Sequence, residues 1–225
     1  MFYRRIKHNI MKRKSGLIIL IVLLAIPAIW VVLWKNTQFG YNELPIFSTD
    51  EMGEQVPYLI DSFSLLDQNG NVFTRDSIGD KIFIASFFFA SCPDVCPTIN
   101  GHLKIATDRL KNSTDVMFLT HSVDPYNDSV AVLNQYAKDY EADYNQWRFL
   151  TGSKSTIYHL ARDSYKSVIQ EVPDTNAFIH SEKLVLVDKE FHVRGIYDGL
   201  DIKEVLNMVE DARFLLMNYM KEENE

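Results

Sequence analysis

Lys81–Phe89 (KIFIASFFF) restricts the fold more than any other segment of this chain. A continuous apolar and aromatic run without polar alternation has no face to offer water, so as a strand it must be covered on both sides. Helices above and below a central sheet supply such cover, and the following segments have the right periodicity for it. Thr98–Lys111 places Ile99, Leu103, Ala106 and Leu110 on one helical stripe, Ser129–Tyr140 presents Val132, Leu133, Tyr136 and Ala137, and Ser155–Tyr165 presents Ile157, Leu160 and Ala161. Val116–Val123 is a second buried strand and Arg148–Leu150 a short third one. Before them, Phe63–Leu66 and Asn71–Thr74 flank Asp67-Gln68-Asn69-Gly70, whose turn chemistry specifies a hairpin. After a loop of polar character, Leu184–Val187 and His192–Ile196 form a closing hairpin. Asp201 then caps a long last helix, with Glu204 completing a capping box and Val205, Met208, Val209, Ala212, Leu216 and Tyr219 as its apolar face. This order implies one α/β domain with a mixed central sheet.

The first 35 residues follow a different rule. Residues 1–16 carry Arg4, Arg5, Lys7, Lys12, Arg13 and Lys14 and no acid, and Leu17–Trp34 is then wholly apolar. At about 1.5 Å per residue that helix spans roughly 27 Å, close to the thickness of a bilayer's hydrocarbon core. Pro27 is tolerated in a membrane helix, and Trp30 and Trp34 suit the interface at its exit. A cleaved signal peptide has a shorter core ending in small residues, which Trp34-Lys35-Asn36 does not supply. A mitochondrial presequence would be amphipathic and Ser-rich. The expectation is an uncleaved single-pass signal anchor in a bacterial inner (cytoplasmic) membrane, with the C-terminal domain extracytoplasmic or periplasmic. The organisation expected is therefore a basic cytoplasmic segment (1–16), a transmembrane helix (17–34), a tether (35–57) and a folded domain (58–222).

Divided at Lys35, the charge is uneven. The chain has a net charge of −7, but residues 36–225 hold all 30 Asp/Glu and only 16 of the 23 Lys/Arg, a net −14. Such a surface argues against nucleic acid as a partner and attracts cations and metal ions.

The two cysteines are too few for a disulfide-dense scaffold or a four-cysteine zinc or iron–sulfur site. Both lie in Ser91-Cys92-Pro93-Asp94-Val95-Cys96-Pro97, after the central strand and before a helix. That carboxyl end is where open α/β sheets bind ligands. A helix N-terminus lowers a cysteine's pKa, whereas Asp94 acts against this. A staple joining residues four apart would remove only about 2 kcal/mol of unfolded-state entropy, so a reactive or metal-binding pair fits the spacing better. Two thiolates need a further donor, and thiolate with imidazole suits copper or zinc, soft thiolates favouring Cu(I). His102, His121, His159, His180 and His192 are all candidates, and periodicity does not choose among them.

The strand–CPDVCP–helix unit, followed by Ser122-Val123-Asp124-Pro125 and a histidine ahead of a closing hairpin, resembles the Sco (SenC-type) proteins over about residues 57–219. These are membrane-anchored, copper-binding proteins of thioredoxin-like fold that assist assembly of the dinuclear copper (CuA) centre of cytochrome c oxidase. The resemblance implies a thioredoxin-like three-layer α/β sandwich, mixed sheet and N-terminal hairpin included. It also implies that Cys92 and Cys96 are thiolate ligands and a redox-active pair, joined in a disulfide when oxidised, and that His180 is the imidazole ligand. Asp124, with Asp94 between the cysteines, is then an outer group of the site. The chain departs from the family pattern at Ala90-Ser91, where Thr-His is frequent, and at Ile179, where the family often has Asp before the ligand histidine. The second departure removes a carboxylate of the kind that orients a metal-bound imidazole.

Three functions follow for comparison. The leading one is a copper metallochaperone, taking Cu(I) or Cu(II) and acting on the CuA-bearing oxidase subunit or another copper or thiol acceptor. The second is an extracytoplasmic thiol–disulfide oxidoreductase using Cys92 and Cys96. The third, a thiol peroxidase, lacks an evident activating group within Ser91–Thr98.

Overall fold

A computed structural model of the chain describes residues 25–27, 44, 59–165, 170–171, 178–179 and 182–222. Residues 25–27 are helical; the rest of the apolar segment 17–34 and most of the tether lie outside the described residues. Among the described residues, no helix is long and apolar enough to cross a membrane.

The strands are β1 (Ser64–Asp67), β2 (Val72–Thr74), β3 (Ile82–Phe88), β4 (Val116–Ser122), β5 (Trp147–Thr151), β6 (Gln170–Glu171), β7 (Phe178–Ile179), β8 (Lys183–Val187) and β9 (Val193–Asp198). The main helices are α1 (Val95–Leu110), α2 (Val130–Asp139), α3 (Lys154–His159) and α4 (Ile202–Glu222). Seven strands form one sheet in the order β2-β1-β5-β4-β3-β8-β9. β3, β4 and β5 are parallel; β8 joins β3 and β1 joins β5 antiparallel, so the sheet is mixed as expected.

Every residue of β3 and β4 is buried, as their unbroken apolar runs require. Ile82, Ile84 and Phe88 face a core with Leu103 and Ala106 of α1, Leu133 of α2 and Val205, Met208, Val209 and Ala212 of α4. Phe83, Ala85 and Phe87 face the opposite core with Ile60, Phe63, Ile157 and Leu160. Period-two alternation thus divides one strand between two helix-bearing layers.

The hairpin β1–β2 forms with Gly70 at φ 80° in its turn, where the left-handed region favours glycine. Gln68 in that turn is buried, and its amide replaces a strand: Nε2 donates to the Trp147 carbonyl at 3.0 Å and Oε1 accepts from the Phe149 amide at 3.0 Å.

Several boundaries differ from the sequence expectation. α1 starts at Val95, three residues early, because Pro97 falls in the first turn, where its missing N–H would have no helical partner anyway. Val132 is exposed; Leu133 and Ala137 carry the buried face of α2. The helix expected over Ser155–Tyr165 is capped by Ser153 and widens into a π-turn at Leu160–Ser164, closed by Tyr165 N–H donating to the Leu160 carbonyl at 2.8 Å. In α4, Asp201 accepts from the Lys203 amide as a cap should; Val205, Met208, Val209 and Ala212 are buried as expected, Leu215 joins them, and Leu216 and Tyr219 are only partly buried. The polar loop before β8 contains a two-stranded ladder, β6–β7, which its composition did not reveal.

The register Phe83↔Val187 and Ala85↔Val185 fixes the two ends of the sheet. β8 starts at the end where β3 finishes, and the β8–β9 turn lies at the opposite end. That turn receives the chain entering the domain. Ile60 N–H donates to the Phe191 carbonyl at 3.0 Å, Leu59 bridges to His192, and Arg194 Nη2 donates to the Leu44 carbonyl at 2.8 Å.

Candidate metal centre

The central strand ends at Phe88, and the next few residues turn sharply into α1. Cys92 N–H donates to the Phe89 carbonyl at 3.1 Å, which folds the loop back, and Cys96 follows inside the first turn of α1. Both cysteines are thiols, not a disulfide, and both are buried: Cys92 is 7% exposed and Cys96 1%. The two side chains hydrogen-bond to each other. Burial, then the bond to Cys92, push the Cys96 thiol up to about 12, against a backbone hydrogen bond at Phe89; the nearby charges of Cys92 and Asp128 add to the rise. At Cys96, then, burial outweighs the lowering expected of a helix N-terminus.

Behind Cys96 stands an aromatic and amide wall. Asn100, one turn along α1 and buried, donates from Nδ2 to the Tyr136 hydroxyl at 3.1 Å. Tyr136 packs on Phe88, Phe149 and Tyr140 with ring centroids 4.9, 5.7 and 5.0 Å away. Tyr140 donates to the Pro97 carbonyl at 3.4 Å.

Asp94, at the N-cap position, is exposed and makes no capping bond. Asp124 is buried in the loop after β4; its carboxylate accepts from Asn127 Nδ2 at 2.7 Å and its amide donates to Ser122 Oγ at 3.1 Å. The carboxylate that reaches the cysteine loop is a different one, Asp128, which the sequence reading missed. It is 1% exposed; its two oxygens accept from the Ala90 amide at 3.2 and 3.1 Å, and Oδ2 also accepts from the Ser122 hydroxyl at 2.5 Å. Burial raises its pKa, the bonds from Ser122 and Ala90 oppose this, and the Asp124 charge adds to the rise. Nothing local in Asn127-Asp128-Ser129 marks this role, since the contact is 38 residues away in sequence.

The histidines separate clearly. His180 lies outside the described residues. His102 pairs through Nδ1 with the Gly199 carbonyl at 2.8 Å. His121 is wholly buried in the second core. His159 contacts Asp163 at 2.7 Å and Asp61 at 3.0 Å. His192 lies with Asp188 and Glu190 in the β8–β9 turn, a trio with metal-ligand spacing at the end of the sheet away from the cysteines. Asp188 is already engaged there by Arg194 at 3.0 Å and the His192 amide at 2.8 Å, so its carboxylate is committed to the turn's own bonds. Two residues beyond His180, the Glu182 carbonyl accepts from Gly199 N–H at 2.7 Å, and a Cβ on Gly199 would lie 3.2 Å from Ile99, three residues after Cys96.

Comparison with known proteins agrees with this geometry. The SCO1/SenC family model matches residues 52–213. The SCO1 protein homolog of Bacillus subtilis is 27% identical over 165 residues, covering 72% of this chain and 86% of the relative. The solved structure of BsSco, a Sco-family cytochrome c oxidase assembly protein described for its disulfide switch, superposes with a TM-score of 0.61 at 28% identity over 71% of this chain and 96% of that one. Arabidopsis thaliana ScoI with copper bound gives 0.60 at 28%, over 72% and 99%. The thioredoxin-like α/β fold with its mixed sheet is therefore that of the solved Sco structures. With the family model spanning most of its length, and two buried thiols at the end of the central strand, this chain belongs to the SCO1/SenC family.

Proposed function

We propose that this protein binds copper as cargo through Cys92, Cys96 and His180, and delivers it to, or prepares the thiols of, the CuA centre of cytochrome c oxidase. One observation carries this reading: two reduced cysteines, hydrogen-bonded to each other, sit at the carboxyl end of the central strand. Paired soft donors suit Cu(I). The start of β8, three residues after His180, lies at the same end of the sheet, and Glu182 is fastened to Gly199 beside α1; both support His180 as the third donor. Copper in Arabidopsis ScoI and the oxidase assembly role named for BsSco support the identity of cargo and acceptor. Asp124 and Asp94 act at longer range, through the shape and charge of the loops around the thiols. The apolar segment 17–34 holds the protein in a bacterial inner membrane, with the domain on the extracytoplasmic side.

Binding requires both thiols to lose protons, and transfer proceeds by exchange of protein thiolates for acceptor thiolates on the metal. A second reading, thiol–disulfide exchange, is supported by the contact between the thiols and by the switch described for BsSco. In it one thiolate attacks a partner disulfide, releases one partner thiol, and the second cysteine displaces the other, so the partner gains two electrons and this pair becomes a disulfide. A peroxidase would need an activating cation near the thiol, whereas the nearby charge of Asp128, an anion, bears on Cys96 and raises its pKa.

The test is titration of the reduced full chain in detergent with Cu(I) and Cu(II), beside Cys92→Ser, Cys96→Ser and His180→Ala. One copper per parent chain is expected, with loss in both serine variants and at least tenfold weaker binding in His180→Ala. A parent chain that takes up no copper overturns the reading; His180→Ala binding as tightly as the parent removes that histidine from the ligand set.

A further inference from the structure

We infer that Asp128 is the positioning residue of the cysteine pair, a latch that keeps Cys96 closed behind the loop carrying Cys92; this rests on reading Cys92 and Cys96 as the working thiols. The loop after β3 is joined to the loop after β4 at successive points. Val123 N–H donates to the Phe88 carbonyl at 2.8 Å, and two residues on, the Ala90 amide donates to the Asp128 carboxylate. Asp128 is held in turn from its own side, by the Ser122 hydroxyl and by its amide, which donates to the Asp124 carbonyl at 2.9 Å. The result is a chain of bonds, buried at Ser122 and partly buried at Ala90, from the end of β4, through one carboxylate, to the residue two before Cys92.

The same contact explains how a thiol two residues into an exposed loop stays covered. Ser91, Pro93 and Asp94 are exposed, yet Cys92 and Cys96 are almost wholly buried. Neither an incoming metal nor a partner's sulfur reaches Cys96 while the loop holds this position. Release of the Ala90 amide from Asp128 frees the loop at its root without disturbing the β3–β4 ladder, which ends at Phe88↔Ser122.

The test uses the metal-free, reduced full chain and iodoacetamide, in which the Cys96 sulfur displaces iodide and its proton goes to buffer. Asp128→Ala is expected to speed alkylation of Cys96 at least fivefold and to raise hydrogen exchange at Ala90, while the Phe118 amide in β4 keeps its protection. Ser122→Ala, which retains the charge of Asp128 but removes its hydroxyl partner, is expected to act in the same direction by at least twofold. Asn127→Ala, which breaks the neighbouring bond to Asp124, serves as the control and stays within twofold of the parent. Acceleration below fivefold in a folded Asp128→Ala chain overturns the assignment, as does an equal acceleration in Asn127→Ala or a proportional loss of protection at Phe118. If Asp128→Ala does not fold, Ser122→Ala decides, and acceleration of Cys96 alkylation below twofold in that chain overturns the assignment. Copper is absent throughout, so this outcome is separate from the success or failure of the copper titration.

Discussion

The imidazole of His121 lies nearly flat on the ring of Phe87, with centroids 5.0 Å apart and planes inclined by 25°. Phe63 and Tyr165 complete the enclosure, and Nδ1 pairs with the Ser86 carbonyl at 3.2 Å. Burial drives its pKa down to about 4, against backbone hydrogen bonds at Ser86 and Leu119. An unfolded histidine titrates near 6.5, so between these values the unfolded chain holds the extra proton and stability rises with pH. The contribution is fully present above about pH 6.5, is lost as pH falls towards 4, and amounts to up to about 3 kcal/mol. Urea unfolding at pH 7.5 and 4.5 should show the parent losing about 2 kcal/mol more than His121→Phe. Equal losses in the two chains would exclude buried His121 as the source.

Gln68 carries an unusual share of the sheet edge. Its amide satisfies the Trp147 carbonyl and the Phe149 amide, both of which Gln68→Ala leaves buried without a partner. Orphaning two such groups costs about 2–4 kcal/mol. The measurement is the shift in urea midpoint; a cost below about 1 kcal/mol would mean that water replaces the side chain.

Gly199 is required for close approach rather than for its dihedral angles. A Cβ there would lie 2.8 Å from the Glu182 carbonyl oxygen and 3.2 Å from Ile99, so Gly199→Ala must push the start of β8 away from α1. Overpacking of this kind costs about 1–3 kcal/mol. If His180 is a ligand, copper affinity falls together with stability, whereas a matched substitution at Gly101, around which there is open space, leaves affinity unchanged.

Copper uptake should depend steeply on pH. Burial pushes the Cys96 thiol up to about 12, so it is protonated at neutral pH and must give up its proton to bind the ion. Log affinity for Cu(I), measured by competition from pH 6 to 8 and corrected for the competitor, should rise by at least about one per pH unit. Cys96→Ser should reduce both the affinity and this slope.

The strands were the most legible part of the chain because burial on both faces leaves an unbroken apolar run, as in β3 and β4. The cysteine motif was legible for a similar reason: strand, turn and helix are consecutive, so the position of Cys92 and Cys96 follows from local order. The start of α1 was hidden by Pro97, whose usual meaning as a helix breaker fails in a first turn. Asp128 was illegible because its partner Ala90 is set by the pairing of β3 with β4, a relation that no local pattern encodes. The same holds for Gln68, a polar turn residue whose burial depends on β5 lying beside the hairpin. Asp124 and Asp128, four residues apart in one loop, could be told apart only by which of them faces the cysteine loop.

The grip of the β8–β9 turn on Leu44, Leu59 and Ile60 has a mechanical consequence. The chain enters the domain at one end of β3 and the thiols sit beyond the other, with seven residues of strand between them, roughly 20 Å. The sheet thus acts as a stand-off, which keeps the entering segment clear of the face that carries the cysteines.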